Sequence, residues 1–203
     1  IGRFVFVSSI KVNGESTPPD RPFRADDPPA PADSYGIAKA EAEAALARIP
    51  GLGLAVVRPP LVHGPGAKGN LAALMRVIAK GWPLPLGAIV NRRSLVGVEN
   101  LADCLAFLAE HGCVGTFLVR DEADVSTPEL VRLVAAAMGR PARLVPVPQA
   151  LLRLAGMVTG KAAAVERVTG SLVVDDAPLR ALGWRQRVSL ADGIAAMARQ
   201  ARC

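Results

Sequence analysis

RFVFVSS, residues 3–9, is the stretch of sequence that decides the fold. Its apolar residues run unbroken from Phe4 to Val7 and are followed by two serines, which predicts a buried strand with hydroxyl groups at its end. A second such run, GLAVVRPP at 53–60, is stopped by prolines, and a third, GTFLVRD, lies at 115–121. Helical patterns separate the runs, which is typical of a parallel sheet flanked by helices. The sequence therefore predicts an α/β fold.

Four predicted helices alternate with these strands, and a further short strand, SLVGV, is expected at 94–98. The helices cover 34–49, 70–81, 99–112 and 126–139. The last one begins with a capping-box pattern, because Ser126 and Glu129 stand three residues apart with Pro128 in the first turn. From about residue 140 the pattern changes to short helices with proline breaks, which predicts a smaller lobe.

Length and composition agree with this layout. The chain has 203 residues, of which 51% are hydrophobic, so it can bury a core and form one domain with a small lobe. We expect a partial sheet domain over 1–120, which includes some lobe segments at about 65–95, and mainly the lobe and its helices over 121–203.

Charge and cysteine content restrict the partners. The formal net charge is +6, but the basic residues are scattered, so we expect a small anionic ligand and no nucleic acid. No apolar segment reaches the ~18 residues needed to span a bilayer, so no membrane partner is expected. Cys104, Cys113 and Cys203 are odd in number and lack CxxC spacing. This pattern favours free thiols in a reducing, cytoplasmic compartment over disulfides or a zinc site.

The only tyrosine, Tyr35, stands four residues before Lys39 in SYGIAKAEAE. At this spacing the two side chains share a helix face, and an ammonium group held beside a phenol stabilises the phenolate. Such a phenol can accept a proton from an alcohol, which Ser9 at the end of a parallel strand can hold by a hydrogen bond. The alternative is a plain surface helix, because YxxxK alone is a weak pattern.

Three other features have competing interpretations. The loop over 12–33 is long and contains six prolines, so its order has to come from packing or from a bound ligand, and we expect it to be functional. His63 in LVHGPG is predicted to have a structural role in a turn rather than to act as a base. Glu99 and Asp103 share a helix face without a histidine, which indicates a solvated helix start rather than a metal site.

Segments along the whole chain resemble one family. FVFVSSIKVNGE, YGIAKAEAE, VVRPPLVHGPG, RRSLVGVENLAD and VDDAPLRALGW, in this order, resemble the extended short-chain dehydrogenase/reductases, in the branch of nucleotide-sugar epimerases, dehydratases and reductases. The resemblance implies the C-terminal portion of a Rossmann-like doubly wound parallel sheet with a small α/β substrate-binding lobe. It also implies NAD or NADP as the cofactor and a nucleoside-diphosphate sugar as the substrate.

The resemblance assigns roles to the residues of the strand end and the helix. Tyr35 resembles the catalytic acid/base, and Lys39 the residue that activates it and holds the nicotinamide ribose. Ser9 resembles the residue that orients the reacting hydroxyl or keto group of the sugar. The segment that passes the nicotinamide consists of Pro59, Pro60 and Leu61.

Four more residues match positions that contact the substrate in the family. Asn70 and Leu71 lie where family members meet the nucleotide diphosphate, and Arg93 resembles the arginine that pairs with it. Arg167 matches a second phosphate contact. A planar guanidinium suits phosphate oxygens better than an ammonium group does.

One family feature has no counterpart in these 203 residues. The glycine-rich GxxGxxG turn, which binds the dinucleotide pyrophosphate, is missing. We therefore expect the chain to be about the second two thirds of an enzyme and to be inactive alone. We also expect it to expose a strand edge through which a homodimer can form.

Departures from the family pattern argue against some of the reactions that family members catalyse. Dehydratases carry an Asp-Glu pair after the catalytic hydroxyl residue, whereas Ile10 and Lys11 follow Ser9. Galactose epimerases have a sequence similar to R-Y-F-N at the positions where this chain has RPPL, residues 58–61. KVNGE with RRSLVGVENL looks like the bacterial branch that epimerises or reduces UDP-linked sugars for surface polysaccharide. The alternatives are an oxidoreductase of the same fold that acts on a non-sugar alcohol, and a non-catalytic module that binds a nucleotide sugar.

Overall fold

The computed structural model of the chain describes residues 2–18, 20–67 and 69–200. Its strands are β1 Arg3–Val7, β2 Gly53–Arg58, β3 Leu61–His63, β4 Leu95–Gly97 and β5 Gly115–Leu118. A three-stranded parallel sheet has the order β1-β2-β5, with Val7 beside Val57 and Val57 beside Phe117. A second parallel sheet pairs β3 with β4. The predicted α/β fold with parallel strands is confirmed.

Eight α-helices and a short 3₁₀ helix, Ile10–Val12, are formed by the described residues. The α-helices are α1 Ser34–Ala47, α2 Asn70–Ala79, α3 Val98–His111, α4 Thr127–Ala137, α5 Gln149–Val158, α6 Ala162–Thr169, α7 Ala177–Ala181 and α8 Leu190–Gln200. Among these elements, none is both long and apolar enough to cross a membrane.

The four predicted helices correspond to α1 to α4, with ends that differ by one or two residues. The capping box of α4 is present, because Glu129 N donates to Ser126 Oγ (3.2 Å) and Ser126 N donates to Glu129 Oε2 (2.7 Å). Gly112 ends α3 with φ of 62°, in the left-handed region where glycine has no steric cost.

The prediction of a turn at LVHGPG is wrong for residues 61–63. Residues Leu61–His63 form β3, which pairs with β4 from Leu61 beside Leu95 to His63 beside Gly97. Three residues that follow two prolines are too few to show the two-residue period of a strand, so the pairing depends on a segment more than thirty residues away.

Besides a small cluster of Ile10, Leu118, Leu172 and Val174, two larger apolar clusters fill the interior. One lies under the three-stranded sheet and joins β2, β5 and α3 to Trp184, and the other joins α2, α4 and α8. Cys104 is a free thiol in the first cluster, where burial raises its pKa to about 12, and Cys113 is also free. Cys203 lies outside the described residues.

The proline-rich loop over 12–33 takes its order from packing against residues 171–175. Thr17 N donates to Ser171 O, and Phe23 N donates to Val173 O, both at 2.8 Å. Asp175 N returns a bond to Phe23 O, also at 2.8 Å. These bonds hold the described part of the loop against the C-terminal part of the chain, and a functional role for the loop stays a prediction.

Strand β1 forms one edge of the three-stranded sheet. Within the described part of the chain its only strand partner is β2. The Phe4 side chain is 44% exposed and Val7 is 37% exposed, so this edge presents apolar surface. Self-association through this edge stays a prediction.

Candidate functional site

Two serines follow β1, and they form different hydrogen bonds. Ser9 caps the 3₁₀ helix, and its Oγ accepts a hydrogen bond from Lys11 N at 3.3 Å. Ser8 points to the interior, where its hydroxyl donates to the carboxylate of Glu43. Towards the described residues Ser9 Oγ acts only as an acceptor, so its hydroxyl hydrogen can still be donated to a ligand.

The first turn of α1 lies directly on the 3₁₀ helix. Asp33 caps α1 by accepting from Gly36 N at 2.8 Å. A Cβ at Gly36 would lie 2.8 Å from Lys11 O, so only glycine permits this approach. Tyr35, next to this glycine, has 52% of its surface exposed. The close packing thus brings the tyrosine to the segment that follows Ser9.

Lys39 occupies the next turn of the same helix face. Its ammonium group donates to Val7 O at 2.9 Å and lies 4.8 Å from the ring centroid of Phe6. The Tyr35 ring centroid is 5.9 Å from the same nitrogen. The end of β1 therefore anchors the lysine beside the tyrosine ring.

A buried polar grouping lies one further turn along this face. Glu43 accepts two bonds from Arg58, Nε to Oε1 at 3.0 Å and Nη2 to Oε2 at 2.6 Å, in addition to the bond from Ser8. Arg58 Nη1 also donates to Asn13 Oδ1 at 3.0 Å. These four residues, the Glu43 cluster, join the ends of β1 and β2 to α1.

Sequence reasoning missed the Glu43 cluster, although two signals were present. Arg58 is the one charged residue in an otherwise apolar strand, GLAVVR. Glu43 is spaced four residues after Lys39, so Tyr35, Lys39 and Glu43 form one stripe on α1. A charge at a position that the strand pattern buries indicates a partner of opposite sign.

The prolines predicted to pass the nicotinamide are buried. Pro59 O accepts from Ile10 N at 3.0 Å, which places Pro59 beside the residue that follows Ser9. Pro60 is buried as well, and Leu61 is half-buried and packs against the α2, α4 and α8 cluster.

The predicted diphosphate residues fall into two groups. Asn70 is exposed at the first position of α2, whereas Leu71 is 2% exposed and belongs to the core. A ligand contact by Leu71 would therefore have to use its backbone N–H rather than its side chain.

Arg93 and Arg167 are brought together by the structure. Arg93 Nη1 donates to Arg167 O at 2.6 Å and to Gly170 O at 3.0 Å, so the guanidinium is held at the C-terminal end of α6. Burial lowers the pKa of Arg93, and the charge of Glu15 opposes this shift. Among the described residues the Arg93 Nε and Nη2 groups have no hydrogen-bond acceptor, so they remain available to an anion.

A cavity of about 300 Å³ separates α6 from the start of α1. The charged residues that line it are Lys11, Glu15, Asp33, Glu166 and Arg167. It is therefore a polar cavity between the segment after Ser9 and Arg167, the residue whose backbone oxygen accepts from Arg93. A larger cavity, of about 680 Å³, is lined by parts of α2, α4 and α8 and by Gly69, beside Asn70.

His63 forms the centre of a second buried grouping. Its Nε2 lies 2.6 Å from Asp121 Oδ2, and Asp121 Oδ1 accepts from Asn100 Nδ2 at 2.7 Å and from Gly97 N at 3.1 Å. His63 is 1% exposed, and within the described residues its Nδ1 has no partner. These residues, the Asp121 cluster, tie β3, α3 and β5 together.

Among the described residues no group of three or more histidine, cysteine, aspartate or glutamate side chains could hold a metal ion. Glu99 is exposed in the first turn of α3, as predicted, but Asp103 is half-buried and paired, so the predicted solvated position is wrong for Asp103. Asp103, from the same face, accepts from Trp184 Nε1 at 3.0 Å and pairs with Arg187 at 2.9 Å.

Known proteins resemble the chain in sequence. A "UDP-glucose 4-epimerase" of Vibrio cholerae is 44% identical over 200 residues, which are 95% of this chain and 61% of that protein. An "N-acetyl-alpha-D-glucosaminyl-diphospho-ditrans,octacis-undecaprenol 4-epimerase" of Escherichia coli O157:H7 is 26% identical over 83% of this chain and 54% of its own length. The chain thus spans less than two thirds of the curated relatives it matches.

Solved structures share the fold. The Bordetella bronchiseptica enzyme WbmH, solved with NAD+, has a TM-score of 0.77 at 23% identity over 100% of this chain and 62% of its own. The Thermus thermophilus UDP-glucose 4-epimerase, solved with NAD, also has a TM-score of 0.77 at 23% identity, over 100% and 64% of the two chains. The Rossmann-like fold expected from the sequence is confirmed.

A family model covers more than half of the chain. The model of the NAD dependent epimerase/dehydratase family matches residues 1–118, which include the strand end, α1 and β2. With the placement of Ser9, Tyr35 and Lys39 and the 44% identical relative, this match shows that the chain belongs to the NAD-dependent epimerase/dehydratase family.

Proposed function

We propose that the chain carries the acid/base site and the substrate-binding lobe of an enzyme that epimerises UDP-sugars, or reduces their 4-keto forms, for surface polysaccharide synthesis. The observation that carries the proposal is the arrangement around the end of β1, where Lys39 is anchored beside the exposed Tyr35 and the first turn of α1 packs on the segment after Ser9. The 44% identity to a UDP-glucose 4-epimerase supports the substrate class.

The two parts of the chain would have different roles in catalysis and substrate binding. In this proposal residues 1–120 supply the acid/base residues, and residues 121–203, with the segments at about 65–95, supply most of the substrate contacts. Location in the cytoplasm and assembly into a homodimer belong to the same proposal.

Tyr35 would exchange a proton with the reacting sugar hydroxyl. A positioned phenol accepts the proton as the alcohol becomes a ketone and returns it in the reverse direction. Ser9 would hold the same oxygen through its hydroxyl hydrogen, and Lys39 would keep the phenolate stable through its positive charge. The partial exposure of Tyr35 leaves the phenol accessible to a substrate.

The residues present fit the ribose and nicotinamide end of NAD or NADP. An ammonium group has three N–H donors, and Lys39 gives one bond to the described residues, to Val7 O, so donors remain for ribose hydroxyls. Pro59, Pro60 and Leu61 would pass the nicotinamide. When bound, the cofactor supplies hydride acceptance and return.

Epimerisation or reduction is favoured over dehydration by the residues after Ser9. Ile10 has no titratable group, and the ammonium group of Lys11 is paired with Asp33 and Glu15. Neither residue offers the carboxylic acid and base that water elimination needs. The chain is therefore better suited to removing and restoring a proton at one sugar oxygen.

A second candidate is an oxidoreductase of the same fold that acts on a neutral alcohol. Arg93 and Arg167 argue against it, because a neutral substrate would give the partly buried guanidinium of Arg93, which has unused donors, nothing to bind. The non-catalytic alternative is disfavoured because Ser9, Tyr35 and Lys39 occur together.

The Arg93 guanidinium provides the test between a diphosphate and a neutral substrate. Arg93→Ala should weaken UDP binding by about 1.5–3 kcal/mol, the range for hydrogen bonds to charged groups. Arg93→Lys should recover only part of the loss, because an ammonium lacks the two-pronged geometry. Calorimetric titration of the full-length protein with UDP, at fixed salt, gives the affinities.

The neighbouring arginine is the matched control. Arg92 is exposed and pairs with Asp124 at 3.1 Å, so Arg92→Ala removes the same charge without removing the bonds that Arg93 donates to Arg167 O and Gly170 O. UDP affinity should be unchanged in this variant. Equal affinities in the wild type and all three variants would contradict a diphosphate clamp and favour the neutral-alcohol oxidoreductase.

A further inference from the structure

Lys11 joins the two segments that carry Ser9 and Tyr35. Its backbone N–H donates to Ser9 Oγ, and its ammonium group contacts the Asp33 carboxylate and lies 3.0 Å from Glu15 Oε1. Asp33 Oδ1 in turn caps α1 by accepting from Gly36 N. The side chain of one residue therefore links the end of β1 to the start of the helix.

We propose that Lys11 is a positioning residue, which through Asp33 fixes the first turn of α1, and with it Tyr35, relative to Ser9. Its effect on turnover rests on the function proposed above. The position follows Ser9 by two residues and carries a cation in this chain.

The two carboxylate oxygens of Asp33 accept hydrogen bonds from different donors. Oδ1 accepts from the helix N–H, and Oδ2 accepts from Lys11, so the helix cap and the ion pair hold one rigid group from two sides. Burial alone would lower the pKa of Lys11, but the hydrogen bonds to Asp33 and Glu15 outweigh it and raise the pKa. The bond from Lys11 and the Gly36 N–H lower the pKa of Asp33. Both groups are thus charged at neutral pH.

Packing makes the link sensitive to small displacements. The backbone at Gly36 lies so close to Lys11 O that a Cβ would stand 2.8 Å away, so the helix has little room to move towards this carbonyl. The ion pair resists the opposite movement, away from it. A catalytic group displaced by about 1 Å can lose up to 10²-fold in rate, so a weak pair can still matter for turnover.

Two other possible roles of Lys11 would give different experimental results. The Lys11 and Asp33 side chains are 28% and 40% exposed and line the polar cavity, so Lys11 could instead bind the substrate. Its loss would then change KM. If the pair were only structural, its loss would lower stability slightly and leave kcat of the folded enzyme unchanged, since exposed ion pairs add little.

Steady-state kinetics of the full-length protein with its cofactor and a UDP-sugar separate these roles. In Lys11→Met we expect kcat to fall about 10-fold, with KM changed less than about threefold. Asp33→Asn keeps an oxygen for the helix cap but loses the charge, and we expect the same loss. The double variant should be no worse than either single one, because both act through one contact. Lys11→Arg should restore most of kcat.

The control is Lys80→Met, which removes an exposed ammonium that lies 4.9 Å from the Trp82 ring, away from the strand end and α1. Its kcat and KM should match the wild type. Unchanged kcat in Lys11→Met, a change confined to KM, or losses that add up in the double variant would each overturn the proposal.

A second readout does not depend on turnover. Tyr35 is the only tyrosine of the 203 residues, so fluorotyrosine incorporation gives one fluorine NMR signal from this chain. Lys11→Met and Asp33→Asn should shift or split the signal, and Lys80→Met should not. If the wild type fails to act on UDP-sugars but the signal responds, the proposed function is wrong and the positioning by Lys11 stands. An unresponsive signal overturns the positioning.

Discussion

The Glu43 cluster and the Asp121 cluster are both buried polar groupings, but they differ in the charge of the residues around the carboxylate. Glu43 is surrounded by a guanidinium and a hydroxyl, with Arg58 donating two bonds. Asp121 accepts from an amide side chain and a backbone N–H and faces the His63 ring. Removal of the carboxylate therefore leaves a buried cation in the first cluster and mainly neutral donors in the second.

The two clusters also differ in what they hold. The Glu43 cluster fastens α1, the helix of Tyr35 and Lys39, to the ends of β1 and β2. The Asp121 cluster fastens β3 and α3 to the residue that follows β5 by three positions. Burial alone thus predicts neither the loss of stability nor the effect on catalysis when a carboxylate is removed. The first cluster should affect both stability and turnover, and the second only stability.

The largest expected effect is at the residue that the first cluster supports. Tyr35→Phe removes the proton-transfer group and keeps the ring, so turnover of the full-length enzyme should fall by roughly 10²–10⁴, which is about 3–5 kcal/mol in the transition state. UDP binding and unfolding should hardly change, because the phenol is half exposed. Kinetics and UDP titration measure the two effects. Near-normal turnover would refute the acid/base role.

The second effect concerns Glu43 itself. Glu43→Ala leaves Arg58, which is 6% exposed at its side chain, with Asn13 as its remaining side-chain partner among the described residues. Loss of one partner of a buried ion pair costs about 3–5 kcal/mol, a large share of the about 5–15 kcal/mol of a typical domain. Urea unfolding measures the loss, and turnover should fall as well because α1 is released from β2.

Glu41 on the same helix is the control for that experiment. It is exposed, so Glu41→Ala removes one carboxylate from α1 without disturbing the buried network. Its free energy of unfolding should stay within about 0.5 kcal/mol of the wild type. If both variants lost the same stability, the helix itself rather than the ion pair would be responsible, and the contrast between the clusters would weaken.

Much of the fold can be predicted from the sequence because its signals are local. Apolar runs that end in serines or prolines identify β1 and β2, and the capping residues Ser126 and Glu129 identify the start of α4. The pairing of β3 with β4 could not be predicted in this way, because it joins short segments distant in sequence. The packing of the proline-rich loop on residues 171–175 has the same cause.

In the candidate site, too, the local features are predictable from the sequence and the long-range contacts are not. The spacing of Tyr35 and Lys39 predicts their shared helix face, because helical geometry is local. The contacts of Arg93 with Arg167 O and Gly170 O are not predictable from spacing, since they depend on how α6 packs. Leu71 shows the limit of a family resemblance, which assigns a position to the substrate but not whether its side chain faces the core.

The smallest expected effect is at the second cluster. Asp121→Asn keeps an oxygen for Asn100 or Gly97 and replaces the other by an amide group facing His63 Nε2. The imidazole can present an acceptor there only as the tautomer that carries its hydrogen on Nδ1, which has no acceptor among the described residues, so the cost is that of one unsatisfied buried hydrogen-bonding group, about 1–3 kcal/mol. Urea unfolding should show this loss, smaller than that of Glu43→Ala, while kcat of the folded enzyme stays unchanged. A loss of kcat without a loss of stability would contradict the comparison, because it would place the Asp121 cluster among the groups that position the reacting residues.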